Sequence, residues 1–599
     1  MELMPLAVME MTMNDRIIES EKGANRQLDK ITSNYYSWRL EIEPEWSTSL
    51  GVYKHNDKLE SWNYRDFESR KNKAQRFLDQ LLSVKRSDLD MTHSVSYDIL
   101  KDILTTYIDG YQWWKFQPLN PFTFLEGFII NPGRFVDMTP FETQGDFLNF
   151  IIRIEKMPQQ YNEMMEAARL AIHYNHTLSS VSVNRIPGII DEFIANESSC
   201  PLIKPFLEDK AAIVLGDTLQ NMTEHIKMAT KNLTLKLKEV KSFIQNEYMP
   251  FTRTIWGIQG WENGKQNYRD TLRWHTSLNV TPEDVHQKGL DEVDRIHQEM
   301  LKVMRRLGFQ GTVYDFFTTL KKNSDFLIKD PEATLQRFRD IIFHRIIPEL
   351  PKYFKNVPNL PLVVKNSTHD GVNGIYESGT EDGTRPATFY TNVRRPEDNP
   401  TFSMVAMTLH ETVPGHHLQD SYVLLSDLPP FRKHLNWRVG SAPFFFPIFN
   451  SFMEGWALYA EYLGEEMGIY RDDFELMGRY SDEICRACRL VIDTGLHYFG
   501  WDRDRAIEYL LNYTGMTTEA ALIEIDRYIT WPGQACGYKM GELKIKELRQ
   551  KATKELGPLF NLPEFHYIIV SNGPMPLGIL ENLIDNWIKD VKLAASEVT

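Results

Sequence analysis

Along most of this chain apolar residues recur every third or fourth position, the spacing of one buried face on a helix. AQRFLDQLLSVK and SYDILKDILTTYIDGY show it within about residues 15–115, and FLNFIIRIEKMPQQYNEMMEAARLAI within about 140–250. DTLQNMTEHIKMATKNLTLKLKEVKSFIQNEYM predicts a long packed helix with a charged, solvated face. TPEDVHQKGLDEVDRIHQEMLKVMRRLG opens on a helix-start signal at Thr281 and ends near Gly308. The period changes at about 355–400, where NLPLVVKN and RPATFYTNV are short, β-branched and aromatic and are separated by Gly-, Asp- and Glu-rich turns. Helical spacing returns over 402–425, 449–468, 472–498, 504–513, 517–527, 538–556 and 576–594. The expected fold is therefore mainly α, with a small β-sheet just before residue 402. A weakly ordered tail is expected over 1–25, then a single domain over 26–599. That domain divides into a helical part to about 350 and a second part over 351–599, with no Gly-, Ser- or Pro-rich linker between them.

Composition narrows the function classes. The 599 residues carry a formal net charge of -15 and a pI near 5.6, which excludes nucleic acid as a partner because phosphate binding needs a basic footprint. No run is long and apolar enough to span a membrane. Four cysteines in so long a chain form no disulfide framework. Cys485 and Cys488 make a C-x-x-C, but in a helical context that reads as apolar filling rather than a redox pair. Seven N-x-S/T sequons, at Asn175, Asn196, Asn221, Asn232, Asn279, Asn366 and Asn512, lean toward a secreted or lumenal protein. The start of the chain is a poor signal peptide, so a cytoplasmic location is the alternative.

The chemistry concentrates at His410-Glu411-Thr412-Val413-Pro414-Gly415-His416-His417. The apolar approach TFSMVAMTL places an adjacent His-Glu pair inside the protein, where its polar groups need partners. A metal on the histidine and a water on the glutamate supply them. In H-E-x-x-H zinc peptidases two histidines lie one helical turn apart and the Glu is the general base. Here the fifth position is Pro414, which cannot ligate. On an ideal helix His416 turns off the face of His410, while His417 stays on it but about 10 Å up the axis. A π-bulge eased by Pro414 and Gly415 would bring His416 back to the metal. The third ligand is expected from a following helix, at Glu454 in SFMEGWALYAEYLGE. That segment resembles the N-E-G-F-A-S-Y-L-E stretch of aminopeptidase-N-like enzymes, in which the Glu binds zinc. Glu461, two turns further on, reads as the carboxylate that holds a ligand histidine.

DGTRPATFYTNV, LHETVPGHHLQD, FMEGWALYAEYLG, RACRLVIDTGLHYFGWDRDRAIEYL and WPGQACGYKMGELKIKELR resemble the proteins grouped as domain of unknown function 885 (DUF885) over roughly residues 30–595. The resemblance implies a large helical fold with a deep cleft, of the zincin (gluzincin) type seen in angiotensin-converting-enzyme-like and thimet-like peptidases. It aligns Gly415-His416 with the Gly-His of that zinc motif, favouring His416 over His417. It implies Zn2+ on His410, His416 and Glu454, with Glu411 as base. Tyr538 and His497 are the implied donors to a tetrahedral oxyanion, and Lys539 could add to them. Strand RPATFYTNV is expected to be an edge that binds substrate backbone, lined by Tyr390 and Asn392. Arg385, Arg479, Arg489 and Arg527 are candidates to clamp a substrate carboxylate.

The leading expectation is a zinc metallopeptidase acting on short peptides, with the cleavage direction open and a homodimer allowed. Hydrolysis of a non-peptide amide, such as an N-acyl amino acid, at the same site is a second reading. A silent binding protein is a third, opposed by the presence of Glu411.

Overall fold

The computed structural model describes residues 13–125, 132–195, 200–367, 374–381, 383–394, 399–436 and 438–598. Of the tail expected over 1–25, residues 1–12 lie outside the described residues and 13–25 are already helix. The first part is built on α1 (Met13–Ile42), α2 (Met91–Gly110), α3 (Gln144–His173), α4 (Leu219–Phe243), α5 (Gly264–Thr276) and α6 (Pro282–Arg306). The start predicted for α6 is made by a reciprocal cap. Thr281 accepts from the Asp284 amide, and the Asp284 carboxylate accepts from Thr281 in return.

The β-region folds into one three-stranded sheet of β1 (Leu362–Asn366), β2 (Gly374–Glu377) and β3 (Ala387–Thr391), in the order β1-β3-β2. β3 runs parallel to β1, with Leu362 opposite Ala387, and antiparallel to β2, with Gly374 opposite Thr391. This overturns the expectation that RPATFYTNV is an edge. Both ladders of β3 are filled, so its backbone offers nothing to a substrate strand.

The helices of the second part are α7 (Thr401–Glu411), α8 (His416–Leu424), α9 (Asn450–Glu466), α10 (Asp473–Thr494), α11 (Thr518–Thr530), α12 (Gly537–Leu556), α13 (Leu562–Ser571) and α14 (Leu577–Val598). α9 lies against both α7 and α12, and α10 against both α6 and α7. The α9–α12 crossing is close because two glycines meet there: a Cβ on Gly455 would stand 2.4 Å from the Gly541 Cα. Phe452, Trp456 and Tyr459 of α9 share one core with Leu409 and Leu418. Each such buried side chain contributes roughly 1.5–3 kcal/mol. No described helix is long and apolar enough to cross a membrane. Cys485 and Cys488 are free, buried thiols in the core around α10, and burial pushes both above the usual thiol range.

Candidate metal centre

The helix expected over 402–425 is broken. α7 stops at Glu411, a turn covers Thr412 to Gly415, and α8 restarts at His416. The π-bulge expectation is therefore replaced by a full break. The residues explain it. Pro414 has no amide hydrogen to donate to a continuing helix. Gly415 lies directly on the carbonyls that end α7, where a Cβ would fall 1.9 Å from the His410 oxygen and 2.4 Å from that of Leu409. The indole of Trp456 donates to the Pro414 carbonyl at 2.9 Å, tying the turn to α9.

The break folds His416 back toward His410, with the two imidazoles perpendicular and their centroids 5.0 Å apart. Glu454 stands between them, its Oε2 3.5 Å from His410 Nε2 and 3.4 Å from His416 Nε2. The three groups offer ligand atoms that all lie within 4.8 Å of one another. Good N–H···O hydrogen bonds run about 2.7–3.2 Å, so both contacts are long for that purpose. They match the ligand–ligand edge of a tetrahedron, about 3.4 Å for metal bonds of about 2.0–2.1 Å. Two imidazoles and one carboxylate are also a donor set suited to zinc. The residues fit the ion.

Supporting groups fix this trio. Glu461, two turns after Glu454 on α9, bonds His410 Nδ1 through Oε1 at 2.7 Å, leaving Nε2 to face Glu454. Arg486 of α10 backs Glu461 at 3.4 Å. Burial alone would lower the His410 pKa, but Glu454 and Glu461 outweigh it and raise it to about 10. Burial likewise disfavours the Glu454 carboxylate, yet the two histidines hold its pKa well below the ordinary value. Protons and a metal cation would thus compete for the same nest of charge. His417 faces elsewhere. Its Nε2 meets the Leu360 carbonyl at 3.3 Å, its Nδ1 meets the Tyr376 hydroxyl at 3.3 Å, and burial drops its pKa to about 4. Glu411, half-buried at the end of α7, has no hydrogen bond or ion pair on its carboxylate among the described residues.

The profile of the bacterial proteins of unknown function called DUF885 matches residues 44–584. The chain belongs to this family. The fold is similar to that of a "putative lipoprotein" from Colwellia psychrerythraea. The TM-score is 0.86 at 25% identity, over 95% of this chain and 99% of that one. It is also similar to a "putative lipoprotein of unknown function" from Shewanella oneidensis, with a TM-score of 0.66 at 16% identity over 93% and 99%. No curated protein matches the chain.

Around the trio of this DUF885 chain, Tyr538 of α12 stacks parallel to His410, with centroids 6.3 Å apart and an interplanar angle of 17°. Its hydroxyl oxygen accepts from Arg527 Nη2 at 2.9 Å and from Gln534 Nε2 at 3.3 Å. Both lone pairs are then used, and the hydroxyl proton is left to donate. His497 is not brought to the cluster. It sits on the π-turn Gly495–Phe499, fully buried, where Nδ1 accepts from the Ile258 amide and Nε2 pairs with the Tyr528 carbonyl. Neither nitrogen is left for a substrate. Lys539 is likewise enclosed, by Glu292, Glu483 and Glu542.

The residues expected to bind substrate have local duties. Arg385 donates from Nη2 to the carbonyls of Ser49 and Ser378, pinning the β2–β3 connection to the first part of the chain. Asn392 is buried and shapes the turn after β3, accepting from the Arg394 amide and, through its carbonyl, from Asn399. Tyr390 lies within β3, between Lys365 and Ile375. Tyr376 of β2 was not foreseen. It stacks near His416 at 6.4 Å and donates to Asp420 at 2.6 Å. The available signal was Asp420 itself, one helical turn after His416 and so on the same face.

Proposed function

We propose that this DUF885 chain is a zinc-dependent hydrolase of the zincin type that cleaves peptide bonds in short peptides. The observation that carries the reading is Glu454 Oε2, placed 3.5 and 3.4 Å from two histidine nitrogens beside Glu411, whose carboxylate has no hydrogen bond or ion pair among the described residues. His410, His416 and Glu454 would hold the ion, and Glu461 would keep His410 in the tautomer that presents Nε2. When bound, zinc supplies a Lewis acid for the attacking water and the scissile carbonyl. Glu411 takes the proton of that water and passes it to the departing amine. The Tyr538 hydroxyl, its oxygen occupied by Arg527 and Gln534, donates to the oxygen that gains charge as the carbonyl carbon becomes tetrahedral.

Elemental analysis beside hydrolysis of a mixed peptide library tests the reading. About one zinc per chain and chelator-sensitive cleavage are expected. A chain that takes up no metal, and cleaves nothing after zinc is restored, would leave a silent member of the fold.

We further place the protein outside the cytosol. The six described sequon asparagines, Asn175, Asn221, Asn232, Asn279, Asn366 and Asn512, are all exposed, while Asn196 lies outside the described residues. Both structural neighbours carry the name lipoprotein. In fractionation of its native cells the protein should appear with the secreted or membrane-anchored proteins, and recovery with the cytosolic fraction would count against this location.

A further inference from the structure

Among the described residues, two guanidinium groups beside Tyr538 carry one more positive charge than their surroundings cancel. Arg489 is 6% exposed. It donates from Nε to the Tyr528 hydroxyl and from Nη2 to Glu524, both at 2.9 Å, and its buried Nη1 has no acceptor among the described residues. Arg527 donates from Nη2 to Gln534 and to the Tyr538 hydroxyl, keeps Nη1 3.5 Å from Glu524, and leaves Nε without an acceptor among the described residues. Burial would raise the Glu524 pKa, but the two arginines bring it to about 2, so it is ionised and balances one charge of the two. Arg486 nearby is already matched by Glu461 and Asp482. A surplus buried cation is costly until an anion joins it.

The position of the pair suggests which anion. Arg489 Cζ lies 4.4 Å from the Tyr538 ring centroid, and that ring stacks on His410. One aromatic side chain therefore separates the guanidinium from the metal ligands. An extended peptide advances about 3.3–3.6 Å per residue, so an anion at the arginines and a carbonyl at the ligands lie within about three residues of each other. The side chains of Arg527 and Glu524 remain 19% and 18% exposed, so solvent reaches the Arg527 side of the pair, while Arg489 Nη1 and Arg527 Nε are covered. The rival arginines are committed elsewhere, Arg385 to backbone carbonyls and Arg479 to Glu465 and Glu483. A guanidinium fork suits a carboxylate better than any other group of a peptide. Resting on the hydrolase reading above, we propose that Arg489 and Arg527 bind the free C-terminal carboxylate of the substrate, so that the protein removes one to three residues from the C-terminus of short peptides.

The test uses the zinc-loaded full chain and one pentapeptide in three forms: the free acid, the C-terminal amide, and the amide with glutamate as its last residue. The acid should be cut one to three residues from its end. The amide should lose about 100-fold in kcat/KM, mostly through KM, as expected for a lost charged hydrogen bond. Arg489→Lys, which keeps the charge and loses the fork, and Arg527→Gln, at the partly exposed position, should each cut the acid-over-amide preference in kcat/KM about 10–100-fold, and Arg527→Gln should also slow both substrates because Arg527 holds the Tyr538 hydroxyl. Calorimetry on Glu411→Gln supplies a readout without turnover, in which the acid should bind at least about tenfold more tightly than the amide. Acid and amide cut and bound alike, or cleavage counted from the N-terminus, would overturn the proposal. So would full recovery with the terminal glutamate amide, which would reassign the arginines to an acidic side chain. Absence of chelator-sensitive cleavage of all three forms would instead sink the hydrolase reading, and the calorimetric preference would still decide the role of the arginines.

Discussion

Glu411 is the residue whose surroundings say most about chemistry. Every other carboxylate beside the histidines is engaged, Glu454 by His410 and His416 and Glu461 by His410 and Arg486, whereas that of Glu411 is held by nothing among the described residues. A group that moves protons needs such freedom, and a ligand does not. Glu411→Gln should therefore reduce kcat by about 10²–10⁴-fold, the usual contribution of a positioned acid–base group, while one zinc per chain remains. Loss of the metal along with the rate would show instead that Glu411 belongs to the metal shell. Glu461→Gln is expected to behave the other way, weakening zinc affinity about 10–100-fold because His410 loses the carboxylate that orients its ring. Competition with a chromophoric chelator reads this directly. The same titration on His416→Ala and His417→Ala should show loss in the first and near wild-type affinity in the second, since the His417 nitrogens already face Leu360 and Tyr376.

At the scale of elements, the decisive feature is the break between α7 and α8. Without it, α8 would continue the axis of α7 and carry His416 away from Glu454. Gly415→Ala should disturb this directly, because the new Cβ would meet the His410 and Leu409 carbonyls, which are backbone and cannot swing aside. The variant is expected to keep its helix content in circular dichroism and to lose most of its zinc. Retention of full zinc affinity would show that the turn tolerates a wider path. The sequence makes the helical stretches over 402–425 and 449–468 legible, and with them the segments that carry His410, His416 and Glu454, because helical periodicity and the E-G-W-A-x-Y-x-E pattern are local signals. It leaves the break illegible, because the contact that requires Gly415 is with carbonyls five and six residues back. Strand order is illegible for the same reason: nothing within RPATFYTNV tells that β2 fills its second ladder. The four candidate arginines look alike in sequence, and only the tertiary position of Ser49, Glu465 and Glu524 separates them. His497 shares the family's stretch with its neighbours, yet its role is set by the Ile258 amide, 239 residues away.

Over the whole molecule, the first and second parts of the chain meet at Asp493, near the end of α10. Asp493 is fully buried and accepts from the Tyr268 hydroxyl of α5 at 2.5 Å and from the Gly533 amide at 3.0 and 3.1 Å. Burial raises its pKa to about 7, and the hydrogen bonds from Tyr268 and Gly533 only partly oppose the rise. An unfolded aspartate titrates near about 3.9. Between those two values the native chain holds a proton that the unfolded chain has released, so stability falls as pH rises through this window and levels off above about pH 7. Three pKa units correspond to about 4 kcal/mol, which is an upper bound for one residue in this setting. Asp493→Asn keeps an acceptor for Tyr268 and Gly533 and has no proton to lose. The variant should melt below the wild type at pH 4.5, where its extra N–H lacks an acceptor and the wild type is protonated. That gap should narrow or reverse at pH 8, where the wild type carries a buried charge. A melting-temperature difference that is the same at both pH values would mean that Asp493 is already ionised in the folded chain, and that the contact between the two parts is held by a charged rather than a neutral carboxyl.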